Sequence, residues 1–307
     1  MTQVIEPSFI GPYGDSTAQN DRVRIWGPGV MVDGIPFDAM NEDQCSKVLE
    51  SFARDRPGEV LCFLKVGFWN PKEPDAPDPN EIVANFSTME GGEFELFADA
   101  AGIRTTFRTN VGVLQHMPKG SKFHFVFRSA DSWWGMLIVW GKNDDLLAVL
   151  FIHLGRDCSM PLRPGGKSAI ETAADWVVQN IPAEEIHDIT FVAEGGVGKC
   201  CYGFKDPTVL KQRVIERYGA GVVSFIFADT SKNPPNSGNA AMNLGNLIRC
   251  ESAKVFGHMT NVDYRIGYWC SACMGGEHPS LEGRPLRSNA RELSSSRDLY
   301  VISSEVE

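Results

Sequence analysis

Apolar positions along this chain follow two rhythms, and the switch between them marks the elements. Residues 60–66, 111–114, 123–127, 136–140 and 146–152 are short runs rich in β-branched and aromatic side chains, which predicts strands. The runs 60–66 and 146–152 are almost continuously apolar, as expected for strands buried on both faces. Gly141-Lys142-Asn143-Asp144 between the last two has hairpin chemistry. Shorter strands are predicted at 23–26, 30–32, 189–193, 225–227 and 264–269, with an irregular tail beyond.

A 3.6-residue period predicts the helices. Asn41 and Gln44 have capping-box spacing, and Cys45, Val48, Leu49 and Phe52 follow as one apolar stripe. The clearest helix spans 167–180, with Ile170, Ala173, Ala174, Val177 and Val178 on one face. Helices are also predicted at 208–218, before Gly219, and at 241–256. Asp78-Pro79-Asn80-Glu81 offers an N-cap, a first-turn proline and an acid, predicting a helix through Val83 and Phe86. A second helix is expected at 93–101, closed by Gly102.

Strands and helices interleave without strict alternation, so the fold class expected is α+β with mixed β-sheets and helices packed outside. Residues 1–20 read as a loose N-terminal arm and 21–307 as a single domain. With 43% hydrophobic and 22% charged residues, the 307-residue chain can build a full core. A net charge of −10 argues against coating nucleic acid. No apolar run approaches a membrane span, and no basic-then-apolar leader opens the chain. Eight cysteines then fit reduced thiols and a cytoplasmic location.

Candidate chemistry lies mostly in the second half. The run 146–152 ends in His153-Leu154-Gly155-Arg156, where a histidine can serve as base, ligand, or satisfied core residue. His116 follows another strand run and His124 lies on the next. Gly195-Gly-Val-Gly198-Lys199 follows a strand but fails as a phosphate loop, because Cys200 stands where Ser or Thr is needed. Cys200-Cys201 and Cys270-x-x-Cys273 make a poor four-thiolate site, since adjacent residues of an extended chain point apart. Arg284, Arg287, Arg291 and Arg297 make the tail locally basic, as a solvated surface or an anion clamp.

Taken in order, His153-Leu-Gly155-Arg156, Gly198-Lys-Cys200-Cys201-Tyr202, Cys270-x-x-Cys273, Ser288, Arg291 and Arg297 resemble the laccase-domain family. That family's pattern runs His-Ala-Gly-Trp-Arg, Gly-Pro-Cys-Cys-Tyr, Cys-x-x-Cys, then Ser-x-Arg-Arg with a later Arg. The likeness is strongest from 146 to 302, and Asp78-Pro79-Asn-Glu-Ile-Val-Ala-Asn85 extends it upstream. The family's Thr-Ala-Asp-Cys-x-Pro becomes Ser129-Ala130-Asp131-Ser132-Trp133-Trp134, so Ser132 stands for the cysteine of its His/Cys/His cluster. A shifted alignment puts Gly135 there, and Cys158 is a thiol close by in sequence. Gln-Val-His becomes Gln115-His116, which makes His116 the match to the first histidine.

The resemblance implies a laccase-domain (cytotoxic-necrotizing-factor-like) architecture. It implies a purine nucleoside phosphorylase-type transferase, using phosphate as co-substrate, with adenosine deamination as a further activity. His153, His116 and Ser132 would be catalytic, and Arg156, Arg291, Arg297, Cys201 and Tyr202 would hold nucleoside and phosphate. Zinc or copper would bind through His116 and His153, with the third ligand open. The missing thiol raises the alternative of a pseudoenzyme that binds a nucleoside or protein partner. A copper phenol oxidase is disfavoured, because six scattered histidines contain no His-x-His.

Overall fold

Strands that are apolar on both faces need cover on both faces, and the chain supplies it with four stacked layers. The computed structural model describes residues 8–9, 23–26, 31–68, 70, 72–73, 75–97, 103–129, 132–142, 145–161, 163, 165–196, 202–204, 206–229, 240–259, 261–266 and 297–305.

One mixed sheet has the strand order β1 (Ser8–Phe9), β2 (Val23–Trp26), β18 (Asp298–Glu305), β10 (Lys122–Ser129), β5 (Val60–Lys65), β8 (Ile103–Phe107), β7 (Glu93–Phe97). The second has the order β17 (Val262–Ile266), β13 (Ile186–Glu194), β11 (Trp133–Gly141), β12 (Leu146–Leu154), β9 (Val111–Gln115), β6 (Val83–Asn85). Two smaller pairings complete the strands: β3 (Met31–Val32) with β4 (Ile35–Pro36), and β14 (Gly203–Phe204), β16 (Ala240–Met242), β15 (Phe227–Asp229). The helices are α1 (Glu42–Arg54), α2 (Arg156–Ser159), α3 (Ala169–Asn180), α4 (Thr208–Tyr218), α5 (Val223–Ile226) and α6 (Leu244–Phe256).

Alternation along the strands divides the core. Leu64, Phe125, Phe127 and Ile302 face Met136, Val149 and Phe151 between the two sheets, where Phe125 stacks on Phe151 at 4.7 Å. The other face of the first sheet, with Leu61, Phe63, Val126 and Val301, packs on Cys45, Val48, Leu49 and Phe52 of α1. The other face of the second sheet, with Leu137, Leu150, Ile152 and Phe191, packs on α3 and α6.

Several predicted elements change character. After the Asp78 cap, Pro79–Glu81 makes only a short 3-10 turn, because Val83–Asn85 pairs in parallel with β9. The expected helix at 93–101 begins as a strand, its Glu-Phe-Glu-Leu-Phe alternation paired antiparallel with β8; residues 98–102 lie outside the described residues. Residues 223–226 are helical ahead of β15, and α6 starts at Leu244, capped by Asn243. The tail expected to be irregular ends in β18, which lies between β2 and β10 inside the first sheet. Residues 8–9 of the expected loose arm pair with β2.

One buried ionic network ties the helical layer together. The carboxylate of Glu251 on α6 accepts from Ser168 Oγ at 2.6 Å, Tyr218 OH at 2.6 Å and Arg217 Nε at 2.7 Å. Arg217 also donates to Glu171 on α3 at 2.8 Å. Removing one partner of such a network strands the others without compensation. Glu251→Ala should therefore lower unfolding free energy by about 3–5 kcal/mol in urea titration. Lys47→Ala, which breaks exposed pairs with Asp33 and with Asp43 one helical turn away, should leave unfolding free energy close to that of wild type.

Candidate active site

Strand direction brings the chemistry to one edge. The C-terminal ends of β5, β10, β12 and β13 meet the starts of β9, β11 and β18 there, because Ser129 pairs with Asp298, Trp134 with His153, and Trp134 with Glu194. His153 is the last residue but one of β12 and is only 1% exposed. Its backbone N–H donates to the Asn110 carbonyl at 2.9 Å, just before β9 begins.

The Asn110 side chain sets the state of that histidine. Its Nδ2 donates to the Gly67 carbonyl at 3.0 Å and to Asn80 Oδ1 at 2.7 Å. Asn80 Nδ2 in turn donates to the Asp157 carbonyl at 2.9 Å. With both amide donors committed, Asn110 Oδ1 is left as an acceptor, 3.3 Å from His153 Nδ1. The Asn110 contact thus favours the tautomer with the proton on Nδ1 and the lone pair on Nε2. Cys158 Sγ, in the single turn of α2, lies 3.2 Å from the same Nδ1.

Ser132 completes the cluster. A Cβ on Gly155 would stand 3.3 Å from Ser132 Oγ, 3.3 Å from His153 Cε1 and 3.7 Å from Cys158 Sγ. All three side chains crowd one backbone position, and glycine is the residue that leaves room for them. Phe68, 66% exposed, sets its ring edge-on to His153 with centroids 6.2 Å apart.

Burial controls the charges. It pushes the His153 imidazole down to about 4. It also pushes the Cys158 thiol well up, helped by the negative charge of Asp157. Both groups are neutral at pH 7. The Arg156 guanidinium is held charged by Asp157, which takes its Nε at 2.6 Å and its Nη2 at 2.5 Å. One edge of the fork expected to hold phosphate is therefore occupied by a carboxylate.

The other expected site residues divide. Tyr202 lies near Arg156, and Arg297 precedes β18 at the same edge, its N–H donating to Asp38 Oδ1 at 3.0 Å. Arg291, Cys200, Cys201, Cys270, Cys273 and Ser288 lie outside the described residues. His116 is exposed at the far end of the ladder, its N–H donating to the Leu147 carbonyl. Leu147 and His153 are six residues apart on β12, roughly 20 Å at the rise of a strand. The expected His116–His153 metal pair is therefore corrected, and His116 is not part of this site. His124 lies instead on β10, between Glu59 Oε2 at 2.6 Å and Ser303 Oγ at 2.8 Å.

Sequence reasoning missed Asn110, Asn80 and Phe68. The Asp78-Pro79-Asn80 pattern predicts a helix start, whereas in the structure Asn80 holds the amide of Asn110 against His153. The zinc or copper that the resemblance implies does not fit these side chains. Asn110, a neutral thiol and Ser132 surround His153, and no three His, Cys, Asp or Glu side chains converge among the described residues.

The architecture matches a known fold. The hypothetical protein YfiH of Bacillus licheniformis superposes with a TM-score of 0.52 at 12% identity, over 96% of this chain and 91% of that one. Protein NMB0706 of Neisseria meningitidis, family-model DUF152, gives 0.46 at 12% identity over 100% of this chain and 99% of that one. No family model and no curated protein matches the sequence. The α+β fold of mixed sheets with helices outside is shared with YfiH.

His153 has a stability signature. Its folded-state value, about 4, lies below the ordinary 6.5, so the unfolded chain binds more protons between those values. Its contribution is complete above pH 6.5 and is lost as pH falls towards 4, up to about 3 kcal/mol in total. Unfolding free energy compared between wild type and His153→Gln over this range should show the wild type losing the larger amount. Parallel curves would contradict the assignment.

Proposed function

We propose that this edge binds a purine nucleoside and that metal-assisted turnover has been lost from it. The observation that carries the reading is Phe68, an exposed aromatic ring standing beside the buried His153 and the half-buried Ser132. A purine nucleoside has a base face to stack on Phe68 and ribose hydroxyls to reach Ser132 Oγ and the His153 Nε2 lone pair. The laccase-domain resemblance supports the ligand class.

Charge argues against phosphorolysis. The leaving purine needs a proton or a strong donor as the glycosidic bond breaks. An imidazole with a pKa of about 4 is protonated in about one molecule per thousand at pH 7. The thiol of Cys158 is not ionised, and Asp157 occupies one edge of the Arg156 guanidinium.

Chromatography separates the two readings. Protein incubated with adenosine, inosine and guanosine, with and without phosphate, should give neither free base nor inosine. Calorimetry should show adenosine binding, weakened about fivefold or more by Phe68→Ala, since base stacking contributes about 1–3 kcal/mol. Phosphate-dependent base release would establish a phosphorylase instead. Absence of adenosine binding by folded protein would sink both.

A further inference from the structure

The opposite end of the second sheet carries a cleft of about 900 Å³, at the large end of small-molecule sites. It lies beside β11, β13 and β17, some 20 Å from His153 by strand rise, because Trp140 is six residues along β11 from Trp134. Trp140 is half-buried against the inter-sheet core. Around it stand His187, Asp188, Lys119, Asp263 and Arg265.

An irregularity of the ladder builds this lining. Trp140 pairs with Asp188 and Gly141 with Ile186, which leaves His187 without a partner in that ladder. In a regular strand His187 and Asp188 would point to opposite faces, yet both border the cleft. A bulge has this effect, turning an extra residue to the face of its neighbour. The β11–β12 ladder slips at the same place, from Val139↔Ala148 to Trp140↔Leu146. Irregularities on both flanks of Trp140 locate the distortion at the ring that borders the cleft.

The chemistry selects a class of ligand. Two cations, Lys119 and Arg265, balance two carboxylates, Asp188 and Asp263, so the lining attracts neither anions nor cations strongly. Asp263 and Arg265 hold each other at 2.8 Å, and both remain about half exposed. A planar acceptor beside a planar donor suits a pair of neighbouring hydroxyls, which can donate to one and accept from the other. His187, Asp188 and Asp263 do not form a metal-ligand group. One aromatic face with paired donors and acceptors, in a wide and charge-balanced cleft, fits a neutral sugar.

We infer that this cleft is a saccharide-binding site, in which a pyranose ring packs on Trp140 and its hydroxyls bridge Asp188 and the Asp263–Arg265 pair. The site is independent of the nucleoside reading for the His153 edge. The test is titration with maltose, cellobiose and lactose by calorimetry and saturation-transfer NMR. At least one should bind saturably with a Kd on the order of 1 mM or tighter. Trp140→Ala should abolish binding. That ring also packs on the core, so Asp188→Asn and Arg265→Ala serve as surface variants, each weakening binding about fivefold. The inference is overturned if none of the three sugars binds folded protein, or if both surface variants bind like wild type. Displacement of the bound sugar by adenosine would also overturn it, by making the two sites one.

Discussion

Asn110 joins the two sheets at the edge where their chemistry collects, and its hydrogen-bonding capacity is spent in doing so. Its donors go to Gly67, beyond β5 of the first sheet, and to Asn80. Its acceptor meets His153 at the end of β12 in the second sheet, and its backbone carbonyl takes the His153 N–H. A buried amide with both donors committed admits one orientation, and its acceptor favours the imidazole tautomer protonated on Nδ1. The same junction ties the segment after β5 in one sheet to the end of β12 in the other, at the margin of their shared core.

The second consequence is electrical. A site this dry opposes every charge not matched by a partner. His153 and Cys158 respond by staying neutral, whereas Arg156 stays charged by taking Asp157 as its partner. A cluster of neutral donors and acceptors beside an exposed aromatic ring suits recognition of an uncharged polar molecule. It is poorly equipped to move protons or to hold a transition metal.

Most of the fold could be read from periodicity, because long apolar strands and capped helices announce themselves locally. The 208–218 helix is reproduced at both ends, and the Asn41 cap acts as its spacing implies. The failures occur where distant pairing overrode a local signal. Residues 83–85 abandoned a well-capped helix for a parallel ladder with β9, and 93–97 paired with β8. In the site, His153 was legible because it ends a predicted strand, and Ser132 only through the family resemblance. Asn110 was not, since its role appears only once β9 is laid antiparallel to β12. The same register removes His116, whose neighbour Gln115 pairs with Ala148 at the far end.

The side chains around His153 are Asn110, Cys158 and Ser132, so a metal would find neither a second imidazole nor an ionised thiol there. The most direct test is to supply them. Purified without a histidine tag and dialysed against zinc, the double variant Asn110→His, Ser132→Cys should retain about one zinc per chain, while wild type retains none. A folded double variant that holds no zinc, or a wild type that holds as much, would contradict the account.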